Sequence, residues 1–445
     1  MKKALLLIFS ACALSASAQL AHPNEKPVPV NVLIGEVEDT VKMIETFLEN
    51  APKDGFVHNA PRFAIVGKNN KFYLGFGGQV KATMNYDWGS PIQNANCFGP
   101  YDIPMPPRSG NNLANEQYKG NKGGWFGLSA QQTDLFLNFV ALPDNPNKVG
   151  FYLNATLLGN GYLPQIRSAY VSWRGFEAGY GFSLFTDLAA DPTTIDYDGP
   201  NAFTVVINAK FDYRHTFGKH FGVGIGAEMP MASYTNGTGD NNRTGTVTQR
   251  VPDIPAYLQW NFGNNNRIRL SGLLRNMQYQ DLVKHNGVYG GVKNAVGWGV
   301  QLTGNFNICD KLIGYYQGAY GKGITSYFED LTGNGLDMVP NAANNGELET
   351  VKAWGAYLGL QYNICPKAYC NVLYSQLRNY APKYDNGATP WIQQYKYGQY
   401  VLANFFYNIN NTFTWGLEYI YGRRVDMDGL QAHDNRIQTC LQVNF

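Results

Sequence analysis

Apolar and polar residues alternate with a period of two over most of the chain from Phe72 onward, the signature of β-strands with two unlike faces. The last run is the cleanest. Ile437, Thr439, Leu441, Val443 and Phe445 form one face, and Arg436, Gln438, Cys440, Gln442 and Asn444 the other. The alternation predicts a strand from Phe72 and further strands near 133–142, 148–158, 165–174, 176–186, 203–217, 221–231, 254–262, 266–280, 295–308, 311–323, 352–364, 368–381, 395–409, 412–424 and 435–445. That makes sixteen, most with about the ten residues that a tilted strand needs to cross hydrocarbon.

The connections alternate in length. Short turns fall at Asp144-Asn145-Pro146-Asn147, Arg174-Gly175, Gly218-Lys219-His220, Gly263-Asn264-Asn265-Asn266, Cys309-Asp310, Pro366-Lys367 and Asn410-Asn411. Long ones fall at 89–132, 187–202, 232–253, 281–294, 324–351, 382–394 and 425–434, with 159–164 the short exception. Outer-membrane barrels have short periplasmic turns and long external loops, whereas a soluble β-sandwich has no reason to alternate this way. Phe306-Asn307-Ile308, Tyr362-Asn363-Ile364 and Tyr407-Asn408-Ile409 each end a descending strand and read as an aromatic girdle at the periplasmic interface. The expected fold is all-β, a sixteen-stranded antiparallel transmembrane β-barrel over 71–445. An open sheet edge in hydrocarbon would leave backbone groups unpaired, so the final strand must close on the first.

The segment before the barrel differs. Residues 1–18 read as a secretory signal peptide: Lys2 and Lys3, an apolar run from Ala4 to Leu14, and Ala16-Ser17-Ala18 before Gln19. A lipoprotein anchored at Cys12 is the poorer alternative, since Phe9 suits a lipobox badly. Residues 19–70 read as a periplasmic linker and a short amphipathic helix over 31–50, with Leu33, Val37, Val41, Ile44 and Leu48 on one face. Such a helix cannot stand alone; it packs on the barrel as a plug-like element or joins copies of itself as a brief coiled coil.

Composition agrees with the barrel. Charged residues are 15%, against about 25% in soluble domains, and Gly and aromatic residues are abundant. The net charge of +2 points to no particular partner, and no nucleic-acid partner is expected. Five cysteines follow the signal, Cys97, Cys309, Cys365, Cys370 and Cys440, too scattered for a disulfide framework, although Cys365 and Cys370 flank one turn and could pair. No nucleophile elbow, zinc-protease motif or phosphate loop is present, and His215 and His220 do not share a strand face. Asp330-x-Thr332-x-Asn334-Gly335-x-Asp337 is only loosely like a calcium loop, with Asn341 where the acid should stand. No enzyme, cofactor or metal site is expected.

The informative residues face inward. The alternation places Lys81, Lys210, Arg214, Arg267, Arg269, Arg275 and Arg436 in the lumen, with Glu177, Asp212, Glu228 and Glu418. The ninth strand sets Arg267, Arg269, Ser271 and Arg275 inward against Ile268, Leu270, Gly272 and Leu274 outward. Such charges either wet the lumen and pair with its acids, or form a basic ladder that favours anions. The third external connection, 187–202, is where such a barrel folds a loop inward. Asp187, Asp191, Asp196 and Asp198 on it would set an acidic edge opposite the basic wall, and an external acidic loop is the plainer alternative. Loop 89–132, with five prolines, is expected to fold over the mouth.

Ala169-Tyr170-Val171, Gly181-Phe182-Ser183-Leu184-Phe185-Thr186-Asp187, Asp191-Pro192-Thr193-Thr194-Ile195-Asp196 and Gly199-Pro200-Asn201 together resemble the DcaP-like porin family, closely over the fourth to sixth strands and loosely elsewhere. The resemblance implies a homotrimer of sixteen-stranded barrels in the bacterial outer membrane, embedded in its lipid. It also implies a periplasmic coiled coil, for which the helix over 31–50 is short. It implies passive diffusion of small anions, dicarboxylates among them, past arginines, for which the strand pattern offers Arg167, Arg267, Arg269 and Arg275. Phe445 would mark the chain for barrel assembly, by resemblance to other such termini. The expected function is a passive porin with mild anion preference; the alternative is a barrel that binds partners or serves structurally through its external loops.

Overall fold

A computed structural model describes residues 30–445 apart from 38, 53–59, 109–122, 236–243, 264–265, 345 and 385–389. The secretory signal and the cleavage site lie outside the described residues. The barrel strands are β1 (Phe72–Gly89), β2 in two pieces (Trp125–Ser129 and Asp134–Ala141), β3 (Val149–Gly159), β4 (Leu163–Trp173), β5 (Phe176–Phe182), β6 (Ile207–Phe217), β7 (Phe221–Glu228) and β8 (Ile254–Phe262). They continue with β9 (Asn266–Asp281), β10 (Val292–Cys309), β11 (Leu312–Lys322), β12 (Lys352–Cys365), β13 (Ala368–Asn379), β14 (Tyr395–Asn408), β15 (Phe413–Asp426) and β16 (Gln431–Asn444). Each pairs antiparallel with its neighbours in the chain, and β16 pairs with β1 from Asp434↔Gly89 to Asn444↔Gln79. The sheet is closed, as the sixteen-strand pattern required.

The alternation fixes which face is which. On β16, Arg436, Gln438 and Cys440 are buried in the interior while Ile437 and Leu441 are exposed on the outside. Leu270, Leu274, Leu302, Leu358 and Leu417 join them on the outer surface, where hydrocarbon replaces water as the solvent. At the seam, the Gly78 amide donates to the Phe445 carbonyl at 2.9 Å and the Phe445 amide to the Gly78 carbonyl at 3.0 Å. Gly77 matters there, because a Cβ would stand 2.8 Å from the Phe445 oxygen.

The expected helix over 31–50 is shorter. Asn31–Ile34 is extended and pairs parallel with Phe63–Val66, which in turn pairs with β1 below the end of β16. Gly35, at φ 89°, ends that strand, and Asp39 caps α1 (Thr40–Asn50) by accepting from the Lys42 amide at 3.0 Å. The buried face of α1 is Met43, Ile44, Thr46 and Phe47; of the stripe read from sequence, Ile44 lies in it and Val37 and Leu48 pack partly buried against the same cluster, whereas Leu33 is exposed on the extended segment. The buried face packs on Ala64, Val66 and Tyr73, and Ala51 packs on Phe136, Tyr152 and Tyr170, all inward-facing. The helix therefore sits against the inner wall at the periplasmic end. Of the two alternatives read from sequence, its apolar face takes the barrel.

Candidate functional site: a lumen narrowed by three inserted loops

Residues 183–206, the third external loop (L3), leave β5 early, because the chain turns inward after Phe182 instead of continuing to 186. The side chains of Phe185, Ile195, Ala202 and Phe203 are buried within the barrel. L3 crosses to the far wall and is fastened there by polar contacts. Tyr357 donates to the Ala190 carbonyl at 3.0 Å, and Asn371 and Asn404 to the Thr193 carbonyl at 3.1 and 2.9 Å. The Ser375 hydroxyl accepts from the Ala202 amide at 3.1 Å. Glu418 accepts from the Ile195 and Asp196 amides at 2.9 and 3.0 Å. Residues 323–351, the sixth external loop (L6), add Ile324, Phe328, Leu331, Leu336 and Val339 to one apolar cluster with Phe185, Ala202 and Val206. From 89–132, the first external loop (L1), Phe98 and Ile103 are likewise buried, Phe98 against Tyr400, Leu402 and Ile420. L1 thus enters the mouth, as its length suggested, and carries an apolar surface with it.

All the basic residues expected in the lumen are there, and most meet an acid. Lys210 lies 2.6 Å from Glu177 and 2.9 Å from Asp212, and Arg214 lies 3.1 and 3.0 Å from the same two carboxylates. Arg436 grips Asp87 through two nitrogens, at 2.8 and 2.7 Å, and also donates to the Asn94 and Cys97 carbonyls. Arg275 lies 3.0 Å from both Asp253 and Asp337 and has no exposed side-chain surface, so it braces L6 and meets no solute. Lys81 donates to the Ile195 carbonyl at 3.2 Å. Arg167 owes its inward direction to a register shift between Asn154 and Ala155 of β3, which makes it the extra residue of a bulge in β4. Its guanidinium stands over the rings of Phe182 and Tyr197 at 5.2 and 5.5 Å.

The remaining two bases, with Asp187 of L3, form the most informative node. Arg267 donates to both Asp187 oxygens at 2.7 and 2.8 Å, Arg269 to one of them at 3.3 Å, and the Thr303 hydroxyl to the other. The Arg269 guanidinium also lies over Tyr257, 3.7 Å from the ring centre. Burial alone would raise the Asp187 carboxyl; the two guanidinium groups and Thr303 outweigh it and hold the group at about 2.

The other three aspartates of L3 are placed differently. Asp196 accepts from the Phe98 amide at 3.0 Å and the Tyr400 hydroxyl at 2.9 Å. Asp191 lies near Tyr315 and Tyr357. Asp198 shares hydrogen bonds with the Cys97 thiol and Glu329 of L6, and burial pushes all three of Asp196, Asp198 and Glu329 upward. Asp187 pairs directly with Arg267 and Arg269 of the basic wall, so at that point the acidic edge does not stand across a gap from it. Sequence reasoning missed Glu329 and the apolar residues of L1 and L6; the signal was the presence of Phe98, Ile103, Phe328 and Leu331 in external connections.

Other sequence candidates are set apart. Asp330 accepts from the Tyr101 amide and the Tyr395 hydroxyl, while Asp337 accepts from Thr325 and Ser326, so the calcium-like run does not gather its acids. Among the described residues, no three His, Cys, Asp or Glu groups converge as metal ligands. His220 bonds the Asn261 carbonyl, and His215 lies between the Tyr213 and Phe217 rings. Cys365 and Cys370 are free thiols, as are the other three described cysteines.

A closed sixteen-stranded barrel with an apolar belt, a polar lumen and an inserted third loop defines an outer-membrane channel. A family model described as the porin subfamily matches residues 154–439, and the chain belongs to that family of channel proteins. No curated protein matches. Among solved structures, the outer membrane channel DcaP of Acinetobacter baumannii is similar with a TM-score of 0.68 at 18% identity, over 85% of this chain and 98% of that one. OmpT of Vibrio cholerae is similar at 0.51 and 10% identity, over 85% and 100%. The anion-selective porin from Comamonas acidovorans is similar at 0.51 and 12%, over 84% and 100%. The likeness to DcaP-like porins read from β4 to β6 is thus borne out, and the location is the bacterial outer membrane.

Proposed function

We propose that this porin passes small hydrophilic solutes by passive diffusion with a mild preference for anions, dicarboxylates included. The observation that carries the preference is the node at Asp187, where two guanidinium groups share one carboxylate. One positive charge on the inner wall is left without a counter-charge. The quartet of Lys210, Arg214, Glu177 and Asp212 adds no net charge, although Arg214 keeps 39% of its side chain exposed and is reachable by a passing anion. A field of one or two charges in a narrowed, partly low-dielectric passage biases ions without excluding either sign, hence mild selectivity. The likeness to an anion-selective porin agrees with this reading. We further propose a homotrimer, on the family resemblance, with a cleaved signal at residues 1–18. The inward course of L1, L3 and L6 favours a channel over a barrel that uses projecting loops to bind partners.

Reversal potentials in a KCl gradient across a planar bilayer test the reading. Anion preference is expected, weakened in Arg267→Gln, with chloride current reduced by an added small dicarboxylate. A preference for cations in the native protein rejects it.

A further inference from the structure

Inside the barrel most of the arginines and lysines meet an acid. Outside, at the extracellular rim, three do not. Lys322 ends β11 and Lys352 begins β12, at the long-loop end of both strands, and they are direct cross-strand partners. Both alternate with buried inward residues, Gly321 and Ala353, so both point outward. Arg378 is the partner of Trp354 on β13, outward-facing and one diagonal step from Lys352. Like charges directly opposed on one sheet face destabilise it unless an anion lies between them. None of the three makes an ion pair among the described residues. The nearby carboxylates are occupied, Glu347 by Lys293 and Glu349 by the Asn341 amide. The Arg378 Nε is buried yet has no hydrogen-bond partner, while its guanidinium lies 4.6 Å from the Tyr380 ring.

The surroundings say what kind of anion fits. Trp298 is the direct partner of Lys322, and the Trp354 indole donates to the Tyr380 hydroxyl at 3.1 Å. Below this aromatic and basic row the outer surface is mostly apolar through Leu358, 56% exposed, and Val300. A molecule lying along this face meets hydrocarbon-facing side chains for most of its length and three cations at its outer end. That is the charge and polarity profile of a lipid with an anionic headgroup. A second copy of the chain would have to bring carboxylates to this row, and among the described residues the outer faces of the strands carry no matching acidic row.

We propose that the outer face of β11 to β13 at the extracellular rim is a docking site for an outer-leaflet lipid with a phosphorylated headgroup. Lys322, Lys352 and Arg378 hold the phosphate, and Trp298 and Trp354 lie against the upper acyl or sugar portion. The phosphate offsets the opposed lysines and accepts from the Arg378 guanidinium.

The test uses the whole protein purified in mild detergent and incubated with phosphorylated lipid A, with the same lipid A after dephosphorylation, and with inorganic phosphate. Bound lipid is counted by native mass spectrometry. The native protein is expected to retain phosphorylated lipid A and to lose about tenfold in affinity for each cation removed in Lys322→Ala, Lys352→Ala and Arg378→Ala. Arg174→Ala, an outer-face cation beside Trp173 at a periplasmic turn, should retain the lipid fully. Channel conductance of each variant, unchanged because these side chains do not line the lumen, reports that the barrel has folded. Equal retention of the dephosphorylated lipid overturns the proposal. So does undiminished retention by the triple variant, or cross-linking of cysteines placed at 322 and 352 between two copies.

Discussion

Replacing Asp187 with Asn removes one charge and almost no volume from the point where L3 meets the inner wall. The carboxylate answers two guanidinium groups, at 2.7 Å from Arg267 and 3.3 Å from Arg269. The two guanidinium groups and Thr303 hold its carboxyl at about 2 against the pull of burial, and so favour the charged form by roughly 2 kcal/mol. Breaking a buried pair while leaving its cations in place costs about 3–5 kcal/mol, so the variant should lose roughly 2–5 kcal/mol of L3 docking. The barrel strands keep their own ladder, so the variant should still fold and insert. Two effects follow at once. The wall gains an unopposed positive charge, which raises the anion-to-cation permeability ratio, and L3 is freed to move, which raises conductance and open-channel noise. The pH dependence provides an internal control. A depressed folded-state pKa gives stability that is complete above the unfolded value near 3.8 and is lost as pH falls through about 2. Native channels at pH 5 and pH 7 should therefore show the same contribution from this latch. Single-channel recording and reversal potentials in a KCl gradient read both effects. An Asp187→Asn channel indistinguishable from the native one, or shifted toward cations, refutes the role assigned to the node.

Two further outcomes are expected. Asn50 ties the end of α1 to the lumen wall through Asn138 at 2.7 Å, the Phe151 carbonyl at 3.2 Å and Ser172 at 2.7 Å, in space left by Gly150. Asn50→Ala should loosen the helix by about 2–3 kcal/mol; hydrogen exchange at Met43 to Phe47 as slow as in the native protein would exclude that anchor. Burial raises the Asp330 carboxyl to about 7 although Tyr101 and Tyr395 donate to it, so the contact of L6 with L1 is strongest below pH 3.8. It should weaken by about 4 kcal/mol as pH rises to 7 and stay constant above. Exchange of the Tyr101 amide, corrected for intrinsic rate, should therefore quicken between pH 5 and pH 8 in the native protein but not in Asp330→Asn; equal pH dependence in both would reject the assignment.

The strands were legible in the sequence because a barrel in lipid forbids exceptions. One misplaced charge on the outer face costs about 2–4 kcal/mol, so Leu270, Leu274, Ile437 and Leu441 could not trade places with Arg269, Arg275, Arg436 and Gln438. Parity says which face a side chain takes, and nothing about which inward neighbour it meets. Lys210 and Glu177 stand on strands read separately, and Asp187 and Arg267 are eighty positions apart; no local pattern links them. Arg167 was a candidate for the lumen, but simple parity does not explain its direction, since a bulge needs only one added residue and leaves both Arg167 and Ser168 buried. The helix was misread at its start for a different reason. Val32 and Ile34 fit a strand as readily as a helix face, and only the partner at Phe63–Val66 decides.

Parity alone also overstates the field in the lumen. Seven inward Lys and Arg side chains read as a basic ladder, but six of them sit within 3.3 Å of a carboxylate and Arg275 has no exposed surface. Charges bound into pairs act on a passing ion as dipoles, whose reach is shorter than that of a lone charge. Selectivity is then governed by the remainder left after pairing, and that remainder depends on L3 staying where Asp187 holds it. The loop that narrows the passage is thus also the element that sets its charge, so a change that releases L3 must alter size and sign of selectivity together.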